Sequence, residues 1–367
     1  MKLIDIIVGA RPNFIKIAPI VRALDARKAA GGQLRYRLIH TGQHYDQRMS
    51  GEFFRQLMIP EPDVNLEVGS GTQAEQTGSI MTRYEELLLD VRSDLCLVVG
   101  DVTSTMACAI AAQKLCVPVG HVEAGIRSGD WTMPEEINRM VTDAISNWFF
   151  TTSEVANQSL RKAGVSDERI FFVGNTMIDT LLGNMQRLRP PLFWKEQGLE
   201  PGSYFVVTLH RPANVDASGP FEKLLNAIAE GTRGLPVIFP VHPRTAKTLL
   251  SLPSLPPSIR LVDPQPYLEF NYLVKHARAV ITDSGGITEE TTVMGVPCLT
   301  LRDNTERPET VTIGTNELIG TDPAGLKPML DRLFAGEWKK GGIPDKWDGH
   351  TGVRIVAELE RLLYGRF

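Results

Sequence analysis

Residues 279–290 have the sequence Ala279-Val280-Ile281-Thr282-Asp283-Ser284-Gly285-Gly286-Ile287-Thr288-Glu289-Glu290. Apolar residues run into a small polar cluster with two glycines, which predicts a strand, a tight loop and a helix. Such a loop directs backbone N–H groups and the positive end of a helix dipole at one point, which suits a phosphate. The glycines let the backbone approach a ligand closely. Glu290 then lies where its carboxylate can accept hydrogen bonds from a ribose diol.

The alternative for this segment is an ordinary β–α turn. The residues that follow favour a ligand site, because a second apolar strand, Val296–Leu301, leads directly into the charged loop Arg302–Glu309. Two neighbouring strands of one parallel sheet would then deliver polar loops to the same edge.

The composition predicts a soluble protein of two domains. At 367 residues, with 43% hydrophobic and 22% charged residues, the chain is too long for one compact core and can bury two. Its formal net charge of −4 provides no basic field for nucleic acid or an anionic membrane. Any phosphate must therefore be held by local groups.

The cysteines and the first residues bear on the compartment. Cys96, Cys108, Cys116 and Cys298 show no Cys-x-x-Cys spacing, which predicts buried free thiols and not disulfides or zinc ligands. Residues 1–8 lack the uninterrupted apolar core of a signal peptide, and no segment resembles a membrane span. We therefore expect a cytoplasmic protein.

The first half alternates apolar strands with helices, the pattern of an open parallel sheet wound on both faces. In such sheets ligands gather outside the carboxyl ends of the strands. Asp101 and Glu123 both fall on that edge. The predicted strands are Leu3–Val8, Tyr36–Thr41, Asp94–Val99, Val117–Val122, Trp148–Thr151 and Ile170–Val173, and the first helix is predicted to reach about Leu24.

Two loops of this half carry candidate chemistry. Arg11 and Lys16 flank the first β–α turn and suit a diphosphate, although Lys16 alone could be a solvated helix lysine. Pro134 predicts the start of a helix that carries Glu135 and Glu136 at its amino end. The helix dipole favours acidic residues there for structural reasons alone. We take Glu135 as an acid–base candidate and regard the helix start as a sufficient explanation of Glu136.

A linker rich in Pro and Arg, Arg187–Leu192, marks the domain boundary. We predict one Rossmann-like domain over residues 1–186, with the helix 352–367 packing back on it, and a second over residues 187–351. The second domain has predicted strands over 204–208, 236–241 and 259–262, and its loops carry His210 and His242. The loop edges of the two sheets are expected to face a cleft.

Three other classes of site are disfavoured by spacing. His40 and His44 straddle a strand end and its turn, so they would not share a helix face for a metal. Neither glycine loop extends to Gly-x-Gly-x-x-Gly, which argues against a nicotinamide cofactor. The Gly-x-Ser-x-Gly of a nucleophile elbow does not occur.

Several motifs in order along the chain resemble the non-hydrolysing UDP-N-acetylglucosamine 2-epimerases, from residue 3 to about residue 320. The resemblance implies a glycosyltransferase-B fold with UDP held mainly by the second domain. The motifs are Gly9-Ala10-Arg11-Pro12 with Lys16, Gly100-Asp101, His121-Val122-Glu123-Ala124-Gly125, Pro134-Glu135-Glu136-Ile137-Asn138-Arg139, His210-Arg211, Asp283 to Glu290 and Thr305-Glu306-Arg307-Pro308-Glu309.

The family chemistry implied by this resemblance inverts C2 of a nucleotide sugar without a cofactor or metal. UDP is eliminated across C1–C2 to a 2-acetamidoglucal and added back with the proton on the other face. The residues that match the catalytic positions are Asp101, Glu123, Glu135, His210 and Lys16. Those assigned to substrate binding are Arg11, Gln43, His44, Arg139, Arg211, His242, Ser284, Gly285, Gly286, Glu290 and Arg307.

The resemblance also implies a homodimer, and a second, regulatory UDP-N-acetylglucosamine near Gln43 and His44. Two departures leave the sugar open: the first loop reads Gly-Ala-Arg-Pro-Asn-Phe in place of the common Gly-Thr-Arg-Pro-Glu-Ala, and Ala213 replaces a usual Glu. The alternatives are a 2-epimerase of a UDP-2,3-diacetamido uronic acid, a hydrolysing 2-epimerase, a glycosyltransferase of the same fold, and a binding protein without catalysis.

Overall fold

The computed structural model describes residues 1–42 and 56–365. It divides into two compact units, the first formed by residues 1–183 and 345–367 and the second by residues 184–344. Each unit is built on one parallel sheet, with a seven-stranded sheet in the first and a six-stranded sheet in the second. The predicted fold class of two Rossmann-like parallel-sheet domains is confirmed.

The first unit has the strand order β3-β2-β1-β4-β5-β6-β7. Its strands are β1 Lys2–Val8, β2 Leu34–His40, β3 Val64–Asn65, β4 Leu95–Val99, β5 Val119–Val122, β6 Trp148–Thr151 and β7 Ile170–Phe172. Its helices before the boundary are α1 Arg11–Ala29, α2 Gln73–Asp90, α3 Thr103–Lys114, α4 Pro134–Ile145, α5 Glu154–Lys162 and α6 Thr176–Asn184, with a 3₁₀ turn at Asp167–Arg169.

The second unit has the corresponding strand order β10-β9-β8-β11-β12-β13. Its strands are β8 Phe205–Thr208, β9 Val237–Pro240, β10 Ile259–Val262, β11 Ala279–Thr282, β12 Cys298–Thr300 and β13 Asn316–Leu318. Its helices are α7 Phe193–Glu196, α8 Pro212–Val215, α9 Ser218–Gly231, α10 Pro243–Leu249, α11 Tyr267–His276, α12 Gly285–Met294, α13 Pro308–Thr312 and α14 Leu326–Phe334, with a 3₁₀ turn at Pro323–Gly325.

Residues along each central strand alternate between two hydrophobic cores. In β8, Phe205 and Val207 belong to the core that contains α9 and α14, whereas Val206 belongs to the core that contains α11. In β11, Ile281 belongs to the first of these cores and Val280 to the second. Because both faces of the sheet are covered, β8 and β11 are apolar up to their final threonines, Thr208 and Thr282, and the polar loops follow where these strands end.

The final helix, α15 Thr351–Tyr364, packs on α1 of the first unit. A Cβ at Gly352 would lie 2.5 Å from the carbonyl oxygen of Pro19, so only glycine allows this close approach. Arg27 of α1 also donates to Glu360 of α15. The segment 345–351, predicted as part of the second domain, belongs to the first unit.

Some predicted boundaries differ from the structure. α1 continues to Ala29, five residues beyond the predicted end near Leu24, although it contains Pro19. The short strands β3 and β13 had no pattern long enough to detect. All four cysteines are free thiols, with Cys116 exposed and the other three buried. Within the described ranges, no helix has the length and hydropathy needed to cross a membrane.

Candidate functional site

The end of β4 places Asp101 at the edge of the first sheet. After Val99 the chain turns through Gly100, whose φ of +71° lies in the left-handed region that favours glycine. The side chains of Asn13 and Thr105 both donate to the carbonyl oxygen of Val99, each at 2.9 Å. These donors replace the ladder partners that a strand loses where it ends.

Lys16 and Glu123 form a buried ion pair beside this turn. Lys16 Nζ lies 2.6 Å from Glu123 Oε2, and both side chains are less than a tenth exposed. A Cβ at Gly100 would lie 3.1 Å from Lys16 Nζ and 3.8 Å from Glu123 Oε2. The absence of a side chain at residue 100 therefore makes room for the pair. Lys16 is not the solvated helix lysine of the alternative interpretation.

Asp101 forms the second carboxylate–cation pair of this edge. Arg139 of α4 donates through Nη2 to Asp101 Oδ2, and its Nη1 lies 2.9 Å from Glu136 Oε2. The Asp101 side chain is 27% exposed, whereas that of Arg139 is only 7% exposed. Arg139 therefore contacts two carboxylates of its own unit, and its predicted role in substrate binding stays a prediction.

The two glutamates at the start of α4 differ in their surroundings. The carboxylate of Glu136 is buried and accepts hydrogen bonds from the backbone N–H groups of Ser128 and Gly129, at 2.9 and 3.1 Å. Burial would raise the pKa of Glu136, but these N–H groups and Arg139 outweigh it and lower that pKa. Glu135 is half-buried, and its carboxylate makes no hydrogen bond or ion pair within the described part of the chain.

Glu136 therefore does more than the predicted interaction with the helix dipole. Its carboxylate also holds the preceding loop and orients Arg139. Glu135 retains a carboxylate that is available to a ligand. Asp101, Glu123 and Glu135 could all transfer protons, and the cations beside the first two can stabilise negative charge that develops in a reaction.

In the second unit, the buried carboxylate of Asp283 organises two loops. It accepts hydrogen bonds from the backbone N–H groups of His210 and Arg211, at 3.0 and 2.9 Å, and from the side-chain amide of Asn214 at 3.1 Å. The His210 ring also contacts it, with Nδ1 3.0 Å from Oδ1. Burial would raise the pKa of Asp283, but these hydrogen bonds, led by that from His210, lower it.

The contact with Asp283 leaves His210 Nε2 available for a ligand. This nitrogen has no hydrogen-bond partner among the residues that the structure describes, and the side chain is 41% exposed. The ring of His242, an exposed residue at the end of β9, lies 5.7 Å away between centroids. Imidazole groups so placed can donate to a phosphate oxygen.

The glycine loop follows the predicted strand, turn and helix. Helix α12 begins at Gly285, and Asp283 and Ser284 connect it to β11. The N–H of Ser284 donates to Thr282 Oγ1 at 2.9 Å. Backbone N–H groups in the first turn of a helix have no intrahelical acceptor, so those of α12 can bind an anion. A Cβ at Gly285 would lie 3.5 Å from Glu306 Oε2 in the loop after β12.

Glu290 is almost fully buried in α12. Burial raises its pKa to about 7, while hydrogen bonds from Tyr267 and Asn271 act in the opposite direction. The neighbouring Glu289 is paired with Arg307 in the buried interior of the unit. A ribose could therefore meet a carboxyl at Glu290 that changes charge near neutral pH. The predicted substrate contact of Arg307 stays a prediction.

Three of the predicted binding residues lie wholly or partly outside the described residues. The backbone of Arg11 begins α1, but its side chain lies outside the described residues, and so do Gln43 and His44 entirely. Within the described ranges, no cluster of three or more His, Cys, Asp or Glu side chains could hold a metal ion.

Asp283 and Arg302 are two buried residues of the second unit for which the sequence predicted no role. Arg302 is buried and makes a two-pronged ion pair with Glu306, at 2.8 and 3.0 Å, which holds the loop after β12. Their position in the sequence could have indicated a role, because Asp283 follows β11 directly and Arg302 follows β12 after one residue. A charged residue at such a point must find a partner in a neighbouring loop.

Comparison with known proteins agrees with the motifs. A family model described as UDP-N-acetylglucosamine 2-epimerase matches residues 26–360. The chain is 39% identical to UDP-N-acetylglucosamine 2-epimerase of Methanocaldococcus jannaschii, covering 100% of both. It is also 39% identical to UDP-2,3-diacetamido-2,3-dideoxy-D-glucuronate 2-epimerase of Pseudomonas aeruginosa, covering 87% of this chain and 88% of that protein.

The solved structures give the same result. The crystal structure of the M. jannaschii UDP-GlcNAc 2-epimerase in complex with UDP-GlcNAc and UDP has a TM-score of 0.87 at 40% identity, covering 98% of this chain and 99% of that one. The resemblance inferred from the motifs is thereby confirmed, and the chain belongs to the UDP-N-acetylglucosamine 2-epimerase family.

Proposed function

We propose that this protein interconverts UDP-N-acetylglucosamine and UDP-N-acetylmannosamine by a non-hydrolysing route without a cofactor. One observation carries the proposal beyond family membership. The edge of the first sheet holds two carboxylate–cation pairs, Asp101 with Arg139 and Glu123 with Lys16, at the ends of adjacent strands. Inversion at an unactivated carbon needs a group to remove a proton and a group to return one.

The proposed reaction balances with the sugar nucleotide alone. A carboxylate removes the proton from C2, the C1–O bond breaks, and UDP leaves with that electron pair. The resulting 2-acetamidoglucal has a C1–C2 double bond. UDP then adds back to C1, and a protonated carboxyl delivers a proton to the opposite face of C2. We assign these transfers to Asp101, Glu123 and Glu135.

We assign UDP binding to the second unit. The free N–H groups of α12, after Ser284, suit the diphosphate, with His210, Arg211 and His242 as further donors. Glu290 is assigned to the ribose. Its neutral form has one donor, whereas its ionised form can accept from both ribose hydroxyls.

UDP binding is therefore expected to release protons near neutral pH. The pKa of Glu290 is raised to about 7, so the free protein is largely protonated at this group below pH 7 and largely ionised above it. If the ionised form binds the ribose, UDP affinity falls as the pH drops from 8 to 6, by at most about tenfold per pH unit. Titration calorimetry in buffers of different ionisation enthalpy measures the release.

Glu290→Gln is the matched variant for this experiment, because UDP itself also titrates. The variant should bind UDP more weakly. Its UDP affinity should vary with pH only through the titration of UDP, without the further change that Glu290 causes in the parent. Equal pH profiles for the two proteins would contradict the role of Glu290.

The test of the proposed function is turnover with UDP-N-acetylglucosamine alone in deuterated water. We expect proton NMR to show both epimers at equilibrium, with deuterium at C2. Release of N-acetylmannosamine and UDP as the main products would identify a hydrolysing enzyme. A requirement for an acceptor would identify a glycosyltransferase, and binding without exchange would identify a non-catalytic protein.

The second candidate substrate is a UDP-2,3-diacetamido uronic acid. The observation that favours it is the identity of 39% to the P. aeruginosa enzyme, the same as to the M. jannaschii epimerase. Parallel assays with both sugar nucleotides separate the candidates through their kcat/KM values.

We further propose a cytoplasmic homodimer with a regulatory UDP-N-acetylglucosamine bound near Gln43 and His44. The free cysteines support a reducing compartment. Light scattering measures the oligomeric state. Loss of activation by added UDP-N-acetylglucosamine in His44→Ala would support the second site.

A further inference from the structure

Side chains hold three consecutive carbonyl groups where β4 ends. Asn13 and Thr105 donate to the carbonyl of Val99, and the side chain of Asn138 donates to that of Asp101 at 2.9 Å. The carbonyl of Gly100 between them contacts the ring of His121, with Nε2 2.8 Å from the oxygen. The backbone on either side of the Asp101 carboxylate is thus fixed by named donors.

His121 is fully buried in β5, and both of its ring nitrogens face acceptors. Nε2 contacts the Gly100 carbonyl, and Nδ1 lies 2.7 Å from Asp143 Oδ1. A carbonyl and an ionised carboxylate can only accept hydrogen bonds. A neutral imidazole has one N–H and could satisfy one of them, so both contacts together require N–H groups at both positions. The hydrogen-bond pattern therefore describes an imidazolium.

Asp143 has the surroundings that keep it ionised. Its Oδ2 accepts from the N–H of Gly125 at 3.0 Å and from Arg127 Nη1 at 2.6 Å. Burial would raise the pKa of Asp143, but the His121 ring and the Arg127 guanidinium lower it. One carboxylate thus ties the loop after Glu123 to the histidine that contacts Gly100.

We propose that His121, held as an imidazolium by Asp143, is a positioning residue that fixes the Gly100–Asp101 turn for proton transfer. The role rests on the proposed function of Asp101. His121 does not touch the substrate in this scheme, and its contribution is to keep the Asp101 carboxylate within reach of C2. A misplacement of about 1 Å at such a group can cost about 10²-fold in rate.

Two substitutions separate the contacts of the ring. In His121→Gln the amide nitrogen can reach the position of Nε2 and still donate to the Gly100 carbonyl. In His121→Asn it falls near Nδ1 and can donate only to Asp143. We expect His121→Asn to lower kcat by about 10²-fold, with KM and UDP affinity near those of the parent, and His121→Gln to recover most of kcat. His350→Asn, at an exposed residue, is the matched control.

The charge of His121 is measured independently in the parent protein. We expect ring-¹⁵N histidine NMR at neutral pH to show a histidine with two protonated nitrogens, whose signal His121→Asn removes. A single-protonated ring would overturn the imidazolium. Equal losses in both variants, or a rise in KM with unchanged kcat, would overturn the positioning role. Absence of C2 exchange in the parent would instead contradict the proposed function, and the positioning role would fail with it.

Discussion

Asp101→Asn and Glu123→Gln are expected to lower kcat for C2 epimerisation by about 10² to 10⁴-fold. The amide keeps the size of each carboxylate but removes the group that takes up a proton. Glu135→Gln is expected to behave in the same way. UDP should still bind to all three variants, because UDP binding is assigned to the second unit. Steady-state kinetics beside calorimetric titration with UDP makes the comparison.

The controls for these variants lie in the same unit. Glu85→Gln changes an exposed helix residue and should leave both measurements unchanged. Glu136→Gln should loosen the loop before α4, because its amide cannot accept all of the hydrogen bonds from Ser128, Gly129 and Arg139. If Glu136→Gln were well folded and inactive while Glu135→Gln stayed active, the assignment of the acid–base residue along this loop would be wrong.

Asp283→Ala is expected to lower the free energy of unfolding of the second unit by about 3–5 kcal/mol. The carboxylate is fully buried and accepts from two backbone N–H groups, an amide and a histidine ring. Its removal leaves the backbone N–H groups of His210 and Arg211 and the buried amide of Asn214 without this acceptor. Urea unfolding followed by tryptophan fluorescence measures the change.

Asp263→Ala is the matched control, because Asp263 is an exposed residue of the same unit and its replacement should cost at most about 0.5 kcal/mol. The milder Asp283→Asn keeps one acceptor oxygen. It should remain folded and bind UDP more weakly, since His210 and Arg211 lose part of their support. Similar unfolding midpoints for Asp283→Ala and Asp263→Ala would show that Asp283 does not organise these loops.

The edge of the first sheet was predictable because parallel strands of alternating α/β structure end on one side. Asp101 and Glu123 follow β4 and β5, which are neighbours in the sheet, and Lys16 follows β1 on the other side of β4. The partners of these residues were not predictable. Arg139 and Asp101 are 38 positions apart, and Lys16 and Glu123 are 107 apart.

The different surroundings of Glu135 and Glu136 were likewise not predictable from the sequence. Both are acidic residues at the start of one helix, and their sequence surroundings differ by one position. Successive residues on a helix point about 100° apart, so one carboxylate turns inward to the loop and the other does not. Helical geometry predicts that the two side chains point in different directions, but only the packed loop identifies Glu136 as the buried one.

Local patterns of strand, turn and helix were sufficient to predict the two parallel sheets, the family and the edge on which the charged residues lie. The ionic partners depend on which side chains the packed fold brings together, and so do the buried anchors, Asp283 in one unit and His121 with Asp143 in the other. Burial is a property of the packed fold, and the pKa of Glu290 near 7 arises from desolvation that no local pattern records.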